Sequence, residues 1–238
     1  MALSKNRVLT DKDIRVIIPA FNEQNAVGLV VEEIPKKWVT EVIVVDNGSS
    51  DDTFETAKTK GATALKEPKK GYGQACLKGM EHIANSITKP DIVVFLDGDH
   101  SDHPDQLPDL VAPIISDEMD LVIGSRALGQ KESGSMTFPQ IFGNWLATRL
   151  MKLFYNVSYT DLGPFRAVRY SSLLSMGMKD TNYGWTVEMQ LKAAKLKMRT
   201  MDIPVDYRQR IGVSKVSGTV KGTVMAGYKI LFTIFRYL

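Results

Sequence analysis

Short, nearly unbroken runs of Val and Ile recur along the first half of the chain. They are "IRVIIP" from Ile14, "EVIVVD" from Glu41, "DIVVFLD" from Asp91 and "DLVIGS" from Asp120, with a weaker "ATALKEP" from Ala62. A strand with one wet face alternates apolar and polar positions, whereas runs like these fit strands covered on both faces. Between them, "AVGLVVEEI" and "GQACLKGMEHIA" carry apolar residues at helical spacing. Strand and helix in alternation predict an α/β fold, a parallel or mostly parallel sheet with helices on both sides. Ligands of such sheets bind outside the carboxyl ends of the strands. The residues just past each run are therefore the ones to read for function: Pro19 to Glu23, Asp46 to Asp52, Asp97 to Asp102 and Gly124 to Arg126.

The second half has a different pattern. "FPQIFGNWLATRLMKLFYN" predicts an amphipathic helix with Ile141, Phe142, Trp145, Leu146, Leu150, Leu153 and Phe154 on a broad face. "TDLGPFRAVRY" reads as a loop entering a strand, "TVEMQLKAAKLK" as a helix and "TMDIPVDYRQR" as a strand. Residues 216–238 read as one long helix. Its Val220, Val224, Gly227, Leu231, Ile234 and Leu238 fall on one side, with Lys221, Lys229 and Arg236 as cations. Such a face either lies on a membrane surface or packs on the protein's own core or a second subunit. No linker divides the chain, so one domain over 1–238 is expected.

Composition narrows the classes. At 238 residues, 44% hydrophobic and 24% charged, the chain is long enough for one well-cored domain. A net charge of +3 does not suit a polybasic nucleic-acid binder. The positive charge is uneven, however. From Lys192 onward stand Lys192, Lys195, Lys197, Arg199, Arg208, Arg210, Lys215, Lys221, Lys229 and Arg236, against only Asp202 and Asp206. That excess is either a solvated face or a site for an anionic partner. The single Cys76 excludes a disulfide framework and a cysteine zinc site, and points to a reducing compartment. "MALSKNRVLTDKD" has no apolar core for a signal peptide, and no apolar run approaches the roughly 20 residues of a membrane span. The expectation is a soluble or peripheral protein.

The sharpest chemical signal is "IVVFLDGDHSDHPDQL", where a strand runs into Asp97 and Asp99. A turn beginning at Gly98 lets both carboxylates converge on one divalent ion. Oxygen ligands suit Mg²⁺ or Mn²⁺, which keep diphosphate oxygens and waters as further ligands. A calcium EF-hand loop would need Gly and Glu where Asp102 and Pro108 stand. A zinc site on His100 and His103 lacks thiolates. Asp102 or His103 can cap a helix opening at Pro104, but Asp97 and Asp99 lie too far upstream. Other strand ends agree with a nucleotide ligand: Glu23 follows the first strand, and Asp46 is placed to bond a ribose or base. Gly48 to Asp52 fits a turn plus helix cap equally well. "KKGYGQA" offers Gly71 and Gly73 but Cys76 at the third position, so a dinucleotide fingerprint fails, and no P-loop motif is present.

Jointly and in order, "VIIPAFNE", "VIVVDNGSSDDT", "FLDGDHSDHP" and "IGSR" resemble a family 2 glycosyltransferase of the GT-A fold. Downstream, "YTDLGPFRAVR", "YGWTVEMQ" and "RQRIGVSKVSGTVKG" are similar to the branch that moves a sugar from a nucleotide diphosphate to dolichyl or another polyprenyl phosphate. The resemblance implies a nucleotide-binding half at about 12–126 and an acceptor half at about 127–238. It implies that Pro19, Phe21 and Glu23 line the nucleoside pocket with Asp46, and that Asp97, Gly98 and Asp99 meet the metal and diphosphate. Arg126 is implied near the acceptor or phosphates, and Arg208, Arg210, Ser214 and Lys215 in a loop closing over the anions. Fixed cations and a metal there would stabilise the departing nucleoside diphosphate. Gly98 with "HSDH" after it departs from the branch pattern, and the C-terminal membrane helices of many relatives have no counterpart. The expected place is peripheral, on the cytoplasmic face of the membrane. Glu188 has three readings: a general base for a hydroxyl acceptor, an orienting residue if the acceptor is a phosphate, or simple charge pairing at a helix N-terminus.

Overall fold

The structure, a computed structural model, describes residues 10–214 and 220–238, with the side chains of Val220 and Lys221 left aside. The five apolar runs form β1 (Ile14–Ala20), β2 (Glu41–Asp46), β3 (Thr63–Lys66), β4 (Ile92–Phe95) and β5 (Leu121–Ser125). The sheet also contains β6 (Arg166–Arg169) and β7 (Thr200–Pro204), in the order β3-β2-β1-β4-β6-β5-β7. β6 runs antiparallel to both of its neighbours, and every other pair is parallel. The α/β fold with a mostly parallel sheet is thus present.

Among the described residues eight α-helices flank it: α1 (Val27–Glu33), α2 (Thr53–Thr59), α3 (Tyr72–Asn85), α4 (Leu107–Ile115), α5 (Phe138–Tyr155), α6 (Tyr170–Met176), α7 (Trp185–Lys195) and α8 (Val220–Arg236). The alternation of side chains along β1 shows why both faces are covered. Ile14, Val16 and Ile18 join α1 and α4 in one apolar layer. Ile17 faces the other layer, which holds α3, α5, α7 and α8. There Trp185 meets Phe95 edge-on, with ring centroids 5.9 Å apart.

Chain order defines a gap at the carboxyl edge of the sheet. After β1 the chain adds β2 and β3 on one side, then returns to place β4 on the other. The crevice between the ends of β1 and β4 is a topological switch point, where sheets of this kind take ligands. The Pro19–Glu23 segment and the Asp97–Asp99 pair both follow these ends.

Three expectations need correction. The strand read from Thr200 to Arg210 stops at Pro204, one residue before the last bond to β5, from the Val205 N–H to Ser125 O at 3.2 Å. Beyond it Tyr207 makes isolated bridges to Asp102 and Lys131 and no strand continues among the described residues, so Arg208 and Arg210 stand on a loop. The broad face read on α5 is largely uncovered: Ile141, Phe142, Trp145, Leu153 and Phe154 are exposed, while Ala147, Thr148 and Met151 are buried. On α8, Ile234 is buried in the core, but Val224 and Leu238 are exposed beside Met225, Tyr228, Phe232 and Phe235. That helix therefore packs on its own domain and still shows solvent an apolar side. Among the described residues, no helix is long and apolar enough to cross a membrane.

Candidate active site

A cleft of about 300 Å³ opens at the switch point. Pro19, Ala20, Phe21 and Glu23 line it from the end of β1, and Asp97, Gly98 and Asp99 from the end of β4. Asn47, Lys70, Gly71, Tyr72, Ala75, Asn182, Tyr183, Arg210 and Ser214 complete the wall.

The acids are crowded and only partly compensated. Asp99 Oδ1 accepts from the Ser101 N–H at 3.0 Å and the Ser101 hydroxyl at 2.5 Å. Its Oδ2 lies 3.0 Å from Arg210 Nη1. The Asp97 N–H donates to Asp102 Oδ2 at 3.3 Å. Among the described residues Asp97 Oδ1 and Asp102 Oδ1 are buried without a hydrogen-bond partner, and the Tyr72 hydroxyl, buried beside Asp97, lowers the Asp97 pKa. Burial, and then the charge of Asp99, push Asp97 up to about 7. Burial with the charges of Asp97 and Asp99 likewise raises Asp102 well above the carboxylate range. A buried carboxyl oxygen with no donor is costly unless something binds it. A hard divalent cation fits that oxygen set. Among the described residues no group of three or more His, Cys, Asp or Glu is arranged to hold a metal. The described residues offer a pair of carboxylates, Asp97 and Asp99, to which a substrate or water would add further ligands. His100 takes no part: its Nε2 lies 2.8 Å from Glu33 Oε1. The His100–His103 zinc reading falls with it, since His103 Nδ1 faces Asp105 at 3.8 Å.

The loop after β7 straps across the cleft. The Arg208 N–H donates to Ser101 O and the Ile211 N–H to Asp99 O, both at 3.0 Å, which ties the strap to the β4 turn. Arg210 bridges the two strand ends, reaching Glu23 Oε1 at 2.5 Å and Asp99 at 3.0 Å. Arg208 is a latch rather than a cleft residue. Its guanidinium pairs with Glu33 at 2.6 Å and donates to His100 O at 2.6 Å and Asp102 O at 3.0 Å. Lys215 lies outside the described residues.

Arg126 sits behind the acids, not on the cleft wall. It holds Asp161 in a fork, Nε to Oδ2 at 2.8 Å and Nη2 to Oδ1 at 2.7 Å. Burial works against its charge, but Asp161 outweighs burial and holds the guanidinium above its ordinary range. The same charge lowers Asp97 and Asp102. Nothing local marks Asp161, because its partner is 35 residues away.

At the far end, Lys70 Nζ stands 4.2 Å over the Phe21 ring. Asp46 is not on the wall; its Oδ1 takes the Ser49 N–H at 2.9 Å and shapes the turn. Asn47 lines the cleft instead. Its side chain donates to Glu67 O and Lys69 O and accepts from the Gly71 N–H, all within 3.1 Å. Lys70, Tyr72 and Asn182 are cleft residues that no sequence motif marks, while Asn47 lies in the Asp46–Asp52 stretch and Tyr183 opens "YGWTVEMQ".

Glu188 is 1% exposed and does not line the cleft. Its carboxylate accepts from the N–H groups of Lys179 and Asp180 and from the Tyr237 hydroxyl at 2.6 Å, and Lys192 Nζ is 2.7 Å away. Burial pushes its pKa up, but these partners outweigh burial and hold it below the usual range. A carboxylate so occupied is a poor base, and the general-base reading loses its geometry.

Comparison with known proteins follows the same outline. The model of glycosyl transferase family 2 matches residues 15–176, more than half of the 238. An uncharacterised glycosyltransferase of Mycobacterium tuberculosis is 32% identical over 216 residues, 90% of this chain and 94% of that protein. The undecaprenyl-phosphate mannosyltransferase of Micrococcus luteus is 28% identical over 231 residues, 91% of this chain and 90% of that protein. Among solved structures, glucosyl-3-phosphoglycerate synthase of M. tuberculosis in complex with Mn²⁺, uridine diphosphate and glucosyl-3-phosphoglycerate matches with a TM-score of 0.74. That match covers 95% of this chain and 80% of the other at 21% identity, a likeness of fold.

Proposed function

The chain belongs to glycosyl transferase family 2 and is a glycosyltransferase, and on that premise we propose that it moves a hexose from a nucleotide-diphosphate sugar to a polyprenyl phosphate, inverting the anomeric carbon. The observation that carries the donor half is the Asp97–Asp99 pair at the switch point, with its unpartnered buried oxygen and Arg210 alongside. Asp97 and Asp99 would hold Mg²⁺ or Mn²⁺, which when bound would neutralise charge on the diphosphate. That assignment agrees with the Mn²⁺ and uridine diphosphate in the fold neighbour.

The chain's own residues do the rest. Pro19, Phe21, Asn47 and Lys70 offer a wall for the nucleoside. Arg210 swings from Glu23 and Asp99 onto diphosphate oxygens, and Ser214 lies beside it. An oxygen of the acceptor phosphate attacks the anomeric carbon; the bond to the donor phosphate breaks, and its electron pair leaves with the nucleoside diphosphate. A phosphate is already an anion near pH 7 and needs no base, which agrees with Glu188 being engaged elsewhere. The acceptor class is supported by the relative named for undecaprenyl phosphate.

Such an acceptor presents its head at the bilayer interface. The exposed sides of α5 and α8 suit that surface: neither helix contains an acidic residue, while Arg149, Lys152 and Arg236 are cations. Phe154 and Phe235 meet at 5.7 Å and join the two sides. We infer a peripheral position on the cytoplasmic face of the membrane. The test is transfer from radiolabelled UDP- and GDP-hexoses to polyprenyl phosphate with Mn²⁺ or with EDTA. Label in the organic phase that disappears in EDTA is expected. Label that stays water-soluble with every donor contradicts the proposal.

A further inference from the structure

Asn182 and Tyr183 line the cleft on a segment, 179–184, that is held from two sides. On one side is the start of α3. The Gln74 N–H donates to Thr181 O at 2.9 Å. A β-carbon on Gly71 would lie 2.1 Å from Thr181 O, and one on Gly73 would lie 2.0 Å from Asp180 O. These glycines let the segment lie directly on α3.

On the other side is α8. Lys229 Nζ is 2.9 Å from Asp180 Oδ2, and the hydroxyl of Tyr237, one residue past the end of α8, donates to Glu188 Oε1 at 2.6 Å. Each of these carboxylates also grips the segment's backbone. Asp180 Oδ1 accepts from the N–H groups of Asn182 at 2.8 Å and Gly184 at 3.2 Å. Glu188 Oε2 accepts from those of Lys179 at 3.0 Å and Asp180 at 2.7 Å. A β-carbon on Gly184 would sit 2.6 Å from Thr233 Oγ1, so α8 also packs against the segment.

We propose that Asp180 and Glu188 are positioning residues through which helix α8 sets the place of Asn182 and Tyr183 in the cleft, so that the seating of α8 governs transfer. α8 puts no described side chain into the cleft itself. It acts through two carboxylates that touch both sides: Asp180 with Oδ2 toward Lys229 and Oδ1 on the segment, and Glu188 with Oε2 on the segment and Oε1 shared by Tyr237, Lys192 and, at 3.2 Å, the Lys179 N–H. Its opposite side carries the exposed Val224, Met225, Tyr228, Phe232 and Phe235. On the proposed transfer to a lipid phosphate, on which this inference rests, the helix that meets the lipid surface is thus the helix that shapes the site.

The test uses the full chain with Lys229→Met and Tyr237→Phe, singly and together; neither residue lines the cleft. Hydrogen exchange should quicken at the amides of Asp180, Asn182 and Gly184. The kcat for transfer should fall roughly tenfold, as for a displacement of an ångström or less, while the affinity for nucleoside diphosphate with Mn²⁺ stays at the wild-type value. Lys229→Arg, which keeps the cation, should restore kcat. Wild-type kcat in the double variant, unchanged exchange at these amides, or equal damage from Lys229→Arg and Lys229→Met would each overturn the proposal. Where the double variant does not fold, the single variants are read in the same way. A wild-type chain that yields no lipid-linked product counts against the acceptor assignment alone. The comparison then runs on slow hydrolysis of the nucleotide sugar, with the same outcomes.

Discussion

At the scale of single residues, the site turns on how few partners its acids have. Among the described residues Asp97 Oδ1 is buried without a hydrogen-bond partner, and Arg210 faces Asp99. Asp97→Asn and Asp99→Asn should leave the fold intact and cut transfer roughly 10²–10³-fold, the scale for losing one preorganised electrostatic element. Calorimetry should show loss of metal-dependent nucleotide binding, and wild-type turnover in either variant contradicts the metal assignment. Arg210→Ala should reduce kcat more than nucleoside affinity, because charge on the departing diphosphate grows in the transition state. Glu188 gives a pH signature of stability. Its folded pKa lies below the ordinary value, so its contribution is present above about 4.3 and is lost as pH falls through the folded pKa. Glu188→Gln should therefore be less stable than wild type at pH 7 by roughly 1–3 kcal/mol. The gap should narrow as pH drops below about 4. Thermal melts across that range check it, and a pH-independent gap rejects the assignment. Legibility at this scale was uneven. The acids and Arg210 follow apolar runs or a compact motif and could be read. Asp161 and Asn182 could not, because only three-dimensional proximity to Arg126 and the cleft distinguishes them.

At the scale of elements, the strands were the most readable feature. Unbroken Val and Ile runs need apolar cover on both faces, and β1, β2, β4 and β5 lie where those runs lie. The antiparallel direction of β6 was not readable, since "FRAVR" carries no mark of its partners β4 and β5. The apolar stripe on α5 was visible, but a periodicity does not say what covers it. In the fold, Phe142 and Trp145 are about half exposed, at 49% and 52%. That uncovered side, continued onto α8, predicts adsorption to anionic vesicles. Phe232→Ser with Phe235→Ser avoids the buried Ile234 and should weaken vesicle binding by about 1.5–3 kcal/mol per side chain. Co-sedimentation measures it. Unchanged binding means another surface carries the attachment.

At the scale of the whole molecule, the sheet order, the strap after β7 and the helices α5 and α8 converge on one arrangement. A cleft for a charged donor opens at the switch point, and an acid-free apolar side faces outward from the layer that holds α3, α7 and the segment with Asn182 and Tyr183. On the proposed function, this division would let the chain draw one substrate from water and the other from a bilayer. On the proposed transfer a base is dispensable, because a phosphate acceptor would arrive charged. The most direct measurement is to offer the full chain, with Mn²⁺ and a radiolabelled nucleotide hexose, polyprenyl phosphate and the matching polyprenol side by side. The account predicts labelled lipid from the phosphate alone, at a rate in Glu188→Gln that raising the pH does not restore. Labelled product from the alcohol at a comparable rate would contradict it.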